Sequence, residues 1–544
     1  MSKKNDVRVD VRESEEISRE FGVLSAWILH ALMSKCDLMK ATTEIPTRNI
    51  SHANRTIVVW DDGDIENPSN WSNMKKWFII FIAMVLTTNS TMGSTLPSMA
   101  MPYIAKEWDV GPKEQAALPT SIYLIGYVMG PLTWGPLSEH VGRRGLTIIC
   151  LVFYNIWTLA CAFAPSWTPF LIFRLLAGIA ASSPIAVAAG IIADLYDDPV
   201  TRGRAFAFFS ASTCFGPLLG PIVAGFCSEY IGWRWAFRIA LIFAGVSCLS
   251  LFWLPETYAP VLLARRARKI RKENPGVEAY AAAELERRGF KQLTTVILTR
   301  PIRMLCTELI VISACMYLAL VYGIFYLSFQ SFPLIFEGLY GFTPAITGLC
   351  FLPVGVGAML ALPIMYLYDT FLSRSKAQGK SWTSREEYRR LPLAFIGGPM
   401  YAVSLFWLGW SADSSISFAV PLLAGLPFGC GYMLIFIALL NYLTDAYPAF
   451  AASANAASTT TRSVFAVVLP VATTPMFQRL QISGACSLLG GLSTLMCIIP
   501  VIFIWKSDTL RAHSRFGLEL EHKGHNSRLG NDVEMEPVRL VLSV

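Results

Sequence analysis

Twelve apolar stretches of membrane-spanning length recur along this chain, and they fall into two blocks of six separated by one hydrophilic stretch. A helix crosses a bilayer with about 20 mostly apolar residues. Such stretches lie at 77–97, 115–137, 146–164, 167–192, 205–227 and 235–254, and again at 304–332, 345–368, 392–411, 418–443, 453–475 and 484–505. Only 15% of the residues are charged, against roughly 25% in soluble proteins, so lipid must cover much of the surface. The expectation is an all-α membrane protein with twelve transmembrane helices in two six-helix halves. Its divisions are a tail at 1–76, a first half at 77–254, a long central loop at 255–303, a second half at 304–505 and a second tail at 506–544.

The bases set the orientation. The net charge of +7 does not point to nucleic acid, because the bases cluster in short segments between apolar runs. Arg143 and Arg144 follow the second span, Arg202 and Arg204 the fourth, and the run from Arg265 to Lys272 the sixth. Arg374, Lys376, Lys380, Arg385, Arg389 and Arg390 follow the eighth. Basic residues favour the cytoplasmic side, which places both termini and the central loop in the cytoplasm of a multi-pass protein of the plasma membrane. The loop after span ten dissents, with Asp445 alone. The apolar stretch 21–33 is too short to span and reads as interfacial or disordered. Most of the twelve cysteines sit singly in apolar runs, with no CxxC pair and no metal spacing.

Three local patterns carry chemistry. Gly135-Pro-Leu-Ser-Glu139-His140-Val-Gly142-Arg143-Arg144 joins two spans through a tight loop that offers charges to neighbouring helix ends, a contact that one conformation can make and another break. Phe170-Leu-Ile-Phe-Arg174-Leu-Leu-Ala177-Gly178 puts an arginine among apolar residues. A charge at the bilayer centre costs upward of about 2.5–3.5 kcal/mol, so Arg174 is expected to face a bundle interior or wet cavity. Gly216-Pro217-Leu-Leu-Gly220-Pro221-Ile-Val-Ala-Gly225 spaces small residues for close helix approach and places two prolines that bend the rod.

With these patterns, residues 60–510 resemble the major facilitator superfamily, specifically the fungal drug:proton antiporters with twelve spans. Glu139 stands where that loop signature usually has Asp, His140 where it has Arg or Lys, and Ala177 where the span-four motif has Gln. The 216–225 pattern resembles the antiporter motif of exporters but ends Gly225-Phe226 instead of in paired glycines. The lead-in Glu66-Asn67-Pro68-Ser69-Asn70-Trp71 and the segment Gly232-Trp233-Arg234-Trp235 also resemble the fungal branch. The resemblance implies two halves rocking about a central cavity. Gly135, Glu139, Gly142, Arg143 and Arg144 would gate the cytoplasmic side, and Arg174 would take part in proton coupling. Gly216, Pro217, Gly220, Pro221 and Gly225 would help close the outer side.

Coupling needs a group that changes charge, and the spans offer few acids. Span one has none, Asp194 and Asp445 read as solvated caps, and Glu308 reads as interfacial. Arg462 is a second buried charge that does not titrate. Arg174 is expected to answer to a protonatable partner that the sequence does not identify. Polar and aromatic residues within spans, Asn89, Tyr123, Tyr127, Tyr322, Tyr326, Gln330, Tyr432, Asn441 and Asn455, are the candidates for substrate contacts. They point to a large apolar pocket with scattered hydrogen-bonding groups. The function this implies is proton-coupled efflux of a drug, toxin or secondary metabolite by a monomer without cofactor or metal, its energy coming from the proton gradient. The rival is a polyamine or nutrient transporter of the same fold. A membrane-bound enzyme lacks support, since no intramembrane His cluster, metal pair or phosphate loop is present, and an ATP-driven pump lacks GxxxxGK[ST].

Overall fold

The computed structural model describes residues 56–506, apart from 62, 112–116, 275–277, 286–289, 386 and 448–449. Residues 1–55, with the stretch 21–33, residues 507–544 and the side chain of His140 lie outside the described residues. Apart from a short pairing of β1 (Thr56–Val58) with β2 (Ala279–Ala281), the described chain is built from helices.

Before the central loop run α1 (Asn73–Thr95), α2 (Pro97–Trp108), α3 (Leu118–Val141), α4 (Arg143–Ala162), α5 (Trp167–Ala181), α6 (Ser183–Leu195), α7 (Pro199–Tyr230) and α8 (Arg234–Ser250). The loop carries α9 (Ala259–Glu273) and α10 (Phe290–Thr307). After it come α11 (Leu309–Phe332), α12 (Pro344–Leu349), α13 (Leu352–Ala377), α14 (Glu387–Ser411), α15 (Ala419–Leu423), α16 (Gly425–Ala446), α17 (Ala451–Met496) and α18 (Ile498–Trp505). In the first bundle α1 packs on α7, and α3 and α4 on α5; in the second, α11 packs on α17, and α13 and α14 on α16. The bundles meet along two lines, α3 against α17 and α7 against α12 and α13.

Ten stretches among the described residues are long and apolar enough to cross a membrane. The twelve sequence spans map onto them with two differences. Helix α3 forms over its full 24 residues but is not one of the ten, because Tyr, Gly, Pro and Thr dilute its aliphatic residues. The last two spans fall in one stretch, Ser453–Trp505, broken at Gln481, where φ is +60°. Prolines set several bends. Pro97 begins α2 and Pro184 lies at the start of α6, so α1–α2 and α5–α6 are each one rod with a joint.

The packing inverts the rule for water-soluble bundles. Helix α8 buries Ala236, Ala240, Ala244 and Ser247 and turns Ile242, Val246 and Leu249 outward. Small residues inside let backbones approach, and large ones outside meet lipid. Trp253, Trp410 and Trp505, at or just beyond the ends of α8, α14 and α18, are exposed, as interfacial aromatic anchors are.

Ahead of α1, the segment holding Asp61, Asp64 and Glu66 clasps Arg266 of α9, so the chain before the first span is tied to the central loop. Burial pushes the Asp64 carboxyl up, but the Glu66 amide and the Arg266 guanidinium together outweigh it and hold it below its ordinary value.

The closest backbone approach within the first bundle joins α3 to α5. A Cβ on Gly178 would lie 2.1 Å from the carbonyl oxygen of Tyr123, an atom that cannot rotate aside, whereas a Cβ on Gly135 would meet open space. Gly178→Ala is therefore expected to destabilise the detergent-solubilised protein by about 1–3 kcal/mol, while Gly135→Ala stays within about 0.5 kcal/mol. Melting curves of the two variants check this, and equal melting temperatures would contradict the close approach.

Candidate functional site

At the arginine-rich end, Gly142 ends α3 with φ +99° and turns the chain directly into α4. A Cβ there would come within 2.4 Å of Glu256. Without one, the Glu256 carboxylate accepts the amides of Arg143 at 2.9 Å and Arg144 at 3.2 Å, an anion set on a helix N-terminus. The Arg143 side chain pairs with Asp194 at 3.3 Å, donates to the Ser138 hydroxyl, and lies 4.8 Å from the Tyr258 ring. Thr257 donates to the same Asp194 oxygen at 3.2 Å. These contacts tie α3, α4, α6 and the exit of α8 into one charged knot.

Parts of this knot differ from the sequence reading. Asp194 is not a solvated cap, since its side chain is only 16% exposed and holds Arg143. Glu139 is exposed and forms no ion pair among the described residues, so Glu256 supplies the carboxylate at this helix end. Arg144 contributes its amide. Glu256 escaped notice because an acid beside a polar loop reads as solvated; the signal was its place in Pro255-Glu256-Thr257-Tyr258, directly at a span end.

The second bundle repeats the pattern with Arg390 and Asp445, 3.2 Å apart and with side chains 3% and 19% exposed. Glu308 is buried, not interfacial, and accepts the Tyr447 hydroxyl at 2.8 Å. Arg204 of α7 bridges the bundles by pairing with Asp369 of α13 at 3.3 Å. Beside it, Gly203 lets the Arg390 guanidinium rest on the α7 backbone.

Arg174 is buried at 2% exposure, and its bonds follow from a proline. Pro97 has no N–H, so the Gly93 carbonyl four residues earlier loses its helical donor. Arg174 Nη1 donates to that carbonyl at 2.7 Å, Nη2 to Ser94 at 2.9 Å, and Nε to Pro119 at 3.1 Å. The Tyr123 ring lies 4.3 Å away. Among the described residues no carboxylate reaches this guanidinium. Its partners are three backbone carbonyls.

The glycine–proline helix α7 works in two directions. Gly216 and Gly220 lie against Thr91 and Thr95 of α1. Pro221 deprives the Pro217 carbonyl of its donor, and the Thr95 hydroxyl supplies one at 2.7 Å. Further along, Gly225 lies against the Pro344 carbonyl, Gly348 of α12 against that of Pro221, and Glu229 accepts the Ala345 amide at 3.2 Å. The start of the motif thus packs in its own bundle, and its end seals the bundles together opposite the arginine-rich end.

Between these closures the centre is aromatic. The Ser94 hydroxyl of the first bundle lies 3.0 Å from the Tyr326 hydroxyl of the second, and Ser121 donates across to the Val467 carbonyl at 3.0 Å. Tyr127 bonds the Ser90 hydroxyl, and Tyr123 donates to the Ser90 carbonyl at 2.7 Å. Tyr322 lies 4.9 Å from Tyr326 and 5.8 Å from Phe436, and Tyr432 lies 4.9 Å from Phe436. Arg462 lies over the Tyr322 and Phe436 rings. Of the other sequence candidates, Asn89 and Gln330 are buried or half-buried with unpartnered amide atoms. Asn441 donates back to its own helix, and Asn455 donates to Thr444 near the arginine-rich end, away from the tyrosines. A cavity of about 20 Å³ inside the second bundle, lined by Ser328, Ser404 and Phe428, has room for little more than a water.

Comparison with known proteins fits this arrangement. The Major Facilitator Superfamily profile matches residues 80–470. The citrinin biosynthesis cluster MFS transporter mrr1 of Monascus ruber is 36% identical, over 85% of this chain and 92% of its own length. The MFS-type efflux pump MFS2 of Trichophyton rubrum is 33% identical, over 89% and 82%. Among solved structures, the proton:xylose symporter XylE superposes with a TM-score of 0.59 at 18% identity, covering 80% of this chain and 96% of that one. The human organic anion transporter MFSD10 gives 0.53 at 15%, over 78% and 99%. With a family match over most of its length and relatives 36% and 33% identical along most of theirs, this two-bundle helical chain is a membrane transporter, and it belongs to the Major Facilitator Superfamily.

Proposed function

We propose that the chain crosses the membrane twelve times, six and six, and exports lipophilic small molecules from the cytosol by alternating access, driven by the proton gradient. The arginine-rich end then faces the cytoplasm with both termini, and the protein works as a monomer in the plasma membrane. The observation that carries this reading is the seam itself. One end is bridged, among the described residues, by the ion pair of Arg204 with Asp369, beside Arg390 packed on Gly203; the other is sealed by close backbone approach at Gly225 and Gly348. Two closures of different chemistry around one buried centre can open in turn. The relatives named as an efflux pump and as a biosynthesis-cluster transporter support export.

In this reading Gly142, Arg143 and Arg144, with Glu256 and Asp194, hold the cytoplasmic gate together, while Gly135 and Glu139 belong to its exposed rim. Gly216, Pro217, Gly220, Pro221 and Gly225 shape the outer closure. Arg174 couples to the proton through the bent first span, whose freed carbonyl it holds. A polyamine substrate is disfavoured because, among the described residues, no carboxylate contacts Tyr322, Tyr326, Tyr432 or Arg462.

Compounds retained by cells that lack the protein, compared with cells that have it, identify the cargo. In vesicles an imposed pH gradient is expected to speed flux of that cargo, and a protonophore to return it to the passive rate. Flux indifferent to the gradient would refute coupling. Asp369→Asn removes the pair across the cytoplasmic end, and Arg204 is partly exposed, so the effect is modest, about 1 kcal/mol or roughly fivefold. Cys214, buried within electrostatic reach of Tyr322 and Tyr432, reports it. In a chain whose other cysteines are replaced, its labelling by a maleimide from the arginine-rich side is expected to quicken by about that factor. An unchanged rate would show that the pair does not hold the gate.

A further inference from the structure

Of the four arginines buried among the described residues, Arg143 and Arg390 hold carboxylates, while Arg174 and Arg462 have none and are satisfied very differently. Arg174 spends three donors on backbone carbonyls. Arg462, 6% exposed, makes no hydrogen bond and no ion pair among the described residues, although a guanidinium carries five donors. What it touches are faces of rings, Tyr322 at 5.3 Å and Phe436 at 5.0 Å. On the same Phe436 ring sits Tyr432, wholly buried, whose hydroxyl is also unpartnered. Two unpartnered donors thus lie about one ring, and Cys214 of the other bundle is within electrostatic reach of Tyr322 and Tyr432.

The charge finds no compensation nearby. Among the described residues the buried acids are Glu256, Glu308, Asp369 and Glu387, all toward the arginine-rich ends of their helices. Glu308 precedes α11, and Tyr322 lies fourteen residues further along, about 21 Å at 1.5 Å per residue. An unpaired buried charge is strongly unfavourable, and arginine does not escape by losing its proton. The ring stack softens the penalty through cation–π attraction but leaves the buried Nε–H without an acceptor.

We propose that the seam binds lipophilic organic anions, with Arg462 and the Tyr432 hydroxyl donating to the substrate's carboxylate or phenolate and the Tyr322 and Phe436 rings covering its apolar body. This rests on the transporter reading above and narrows its cargo. An anion supplies the missing acceptors, and a guanidinium presents the forked donors that suit a carboxylate. The same charge repels lipophilic cations, so the site selects by sign as well as by size.

The test is equilibrium binding to the purified full chain in nanodiscs with no pH gradient, using 1-pyrenebutyrate, its methyl ester and tetraphenylphosphonium. Wild type is expected to bind pyrenebutyrate about tenfold more tightly than the ester, the scale of one charge-assisted bond. Arg462→Gln should abolish that preference and gain affinity for tetraphenylphosphonium, while Arg462→Lys keeps part of the preference. A gain for the cation cannot come from misfolding, and the Lys variant guards against simple loss of structure. Equal affinity for acid and ester in wild type, an undiminished preference in Arg462→Gln, or displacement of pyrenebutyrate by millimolar chloride would each overturn the proposal. A protein that shows the charge preference but ignores a pH gradient in vesicles would instead fail the coupling claim alone.

Discussion

A carbonyl that loses its helical donor to proline has no water to turn to inside a bilayer, and this protein meets that shortage with side chains from neighbouring helices. Pro97 frees Gly93, and Arg174 fills the gap; Pro221 frees Pro217, and Thr95 fills it. Each repair fixes the bend that created it. Arg174 thereby joins α5 to α1 and to the start of α3, and Thr95 joins α1 to α7. The first span is the hub because both repairs converge on residues 93–95. Its Ser94 also lies within hydrogen-bond reach of Tyr326 across the seam.

Close backbone approach follows from those bends. Bent rods touch where they converge, and glycine is the residue that lets them do so. Within the first bundle Gly178 meets Tyr123, while Gly225 and Gly348 meet backbone across the seam. The arginine-rich end is built on another principle. There helices are held by carboxylates on helix starts and by buried ion pairs, contacts whose energy depends on water being absent. In the proposed reading, opening that end would let water in and weaken every pair together, whereas the opposite end is held by close backbone approach and the Glu229 contact with the Ala345 amide. One molecule therefore carries two closures of different chemistry, the arrangement on which the proposed alternation of access rests.

Much of this was legible in the residues. Span lengths outlined the helices; Gly142 and Arg143 lie at the turn from α3 into α4, Arg174 inside the first bundle, and the 216–225 pattern against α1 and, at its end, the seam. What the sequence hid were partners distant along the chain. Asp194 and Glu256 look like solvated ends until folding sets them on Arg143, about 50 and 110 residues away. Asn441 looked like a lining residue because a polar group in an apolar run invites that reading, yet its amide turns back to Ile437. The last two spans, set apart in the sequence at 476–483, run on through a break in the helical backbone at Gln481, inside that gap. Polarity along a chain tells where a group must be satisfied, and not by what.

The same reasoning separates Arg174 from Arg462, the two buried arginines that hold no carboxylate among the described residues. A cation in an apolar bundle must be explained by its acceptors, and Arg174 has them in the carbonyls that Pro97 and the start of α3 present. Arg462 is the residue for which the fold gives no such account. Two ring faces cushion it, and the unpartnered Tyr432 hydroxyl stands beside it. A rigid site with unmet donors at the line where two bundles part is complementary to something that arrives and leaves. Were Arg462 only a structural strut, the fold would have spent its donors as it spent those of Arg174. The contrast ties the chemistry of the cargo to a vacancy in the hydrogen bonding of the protein.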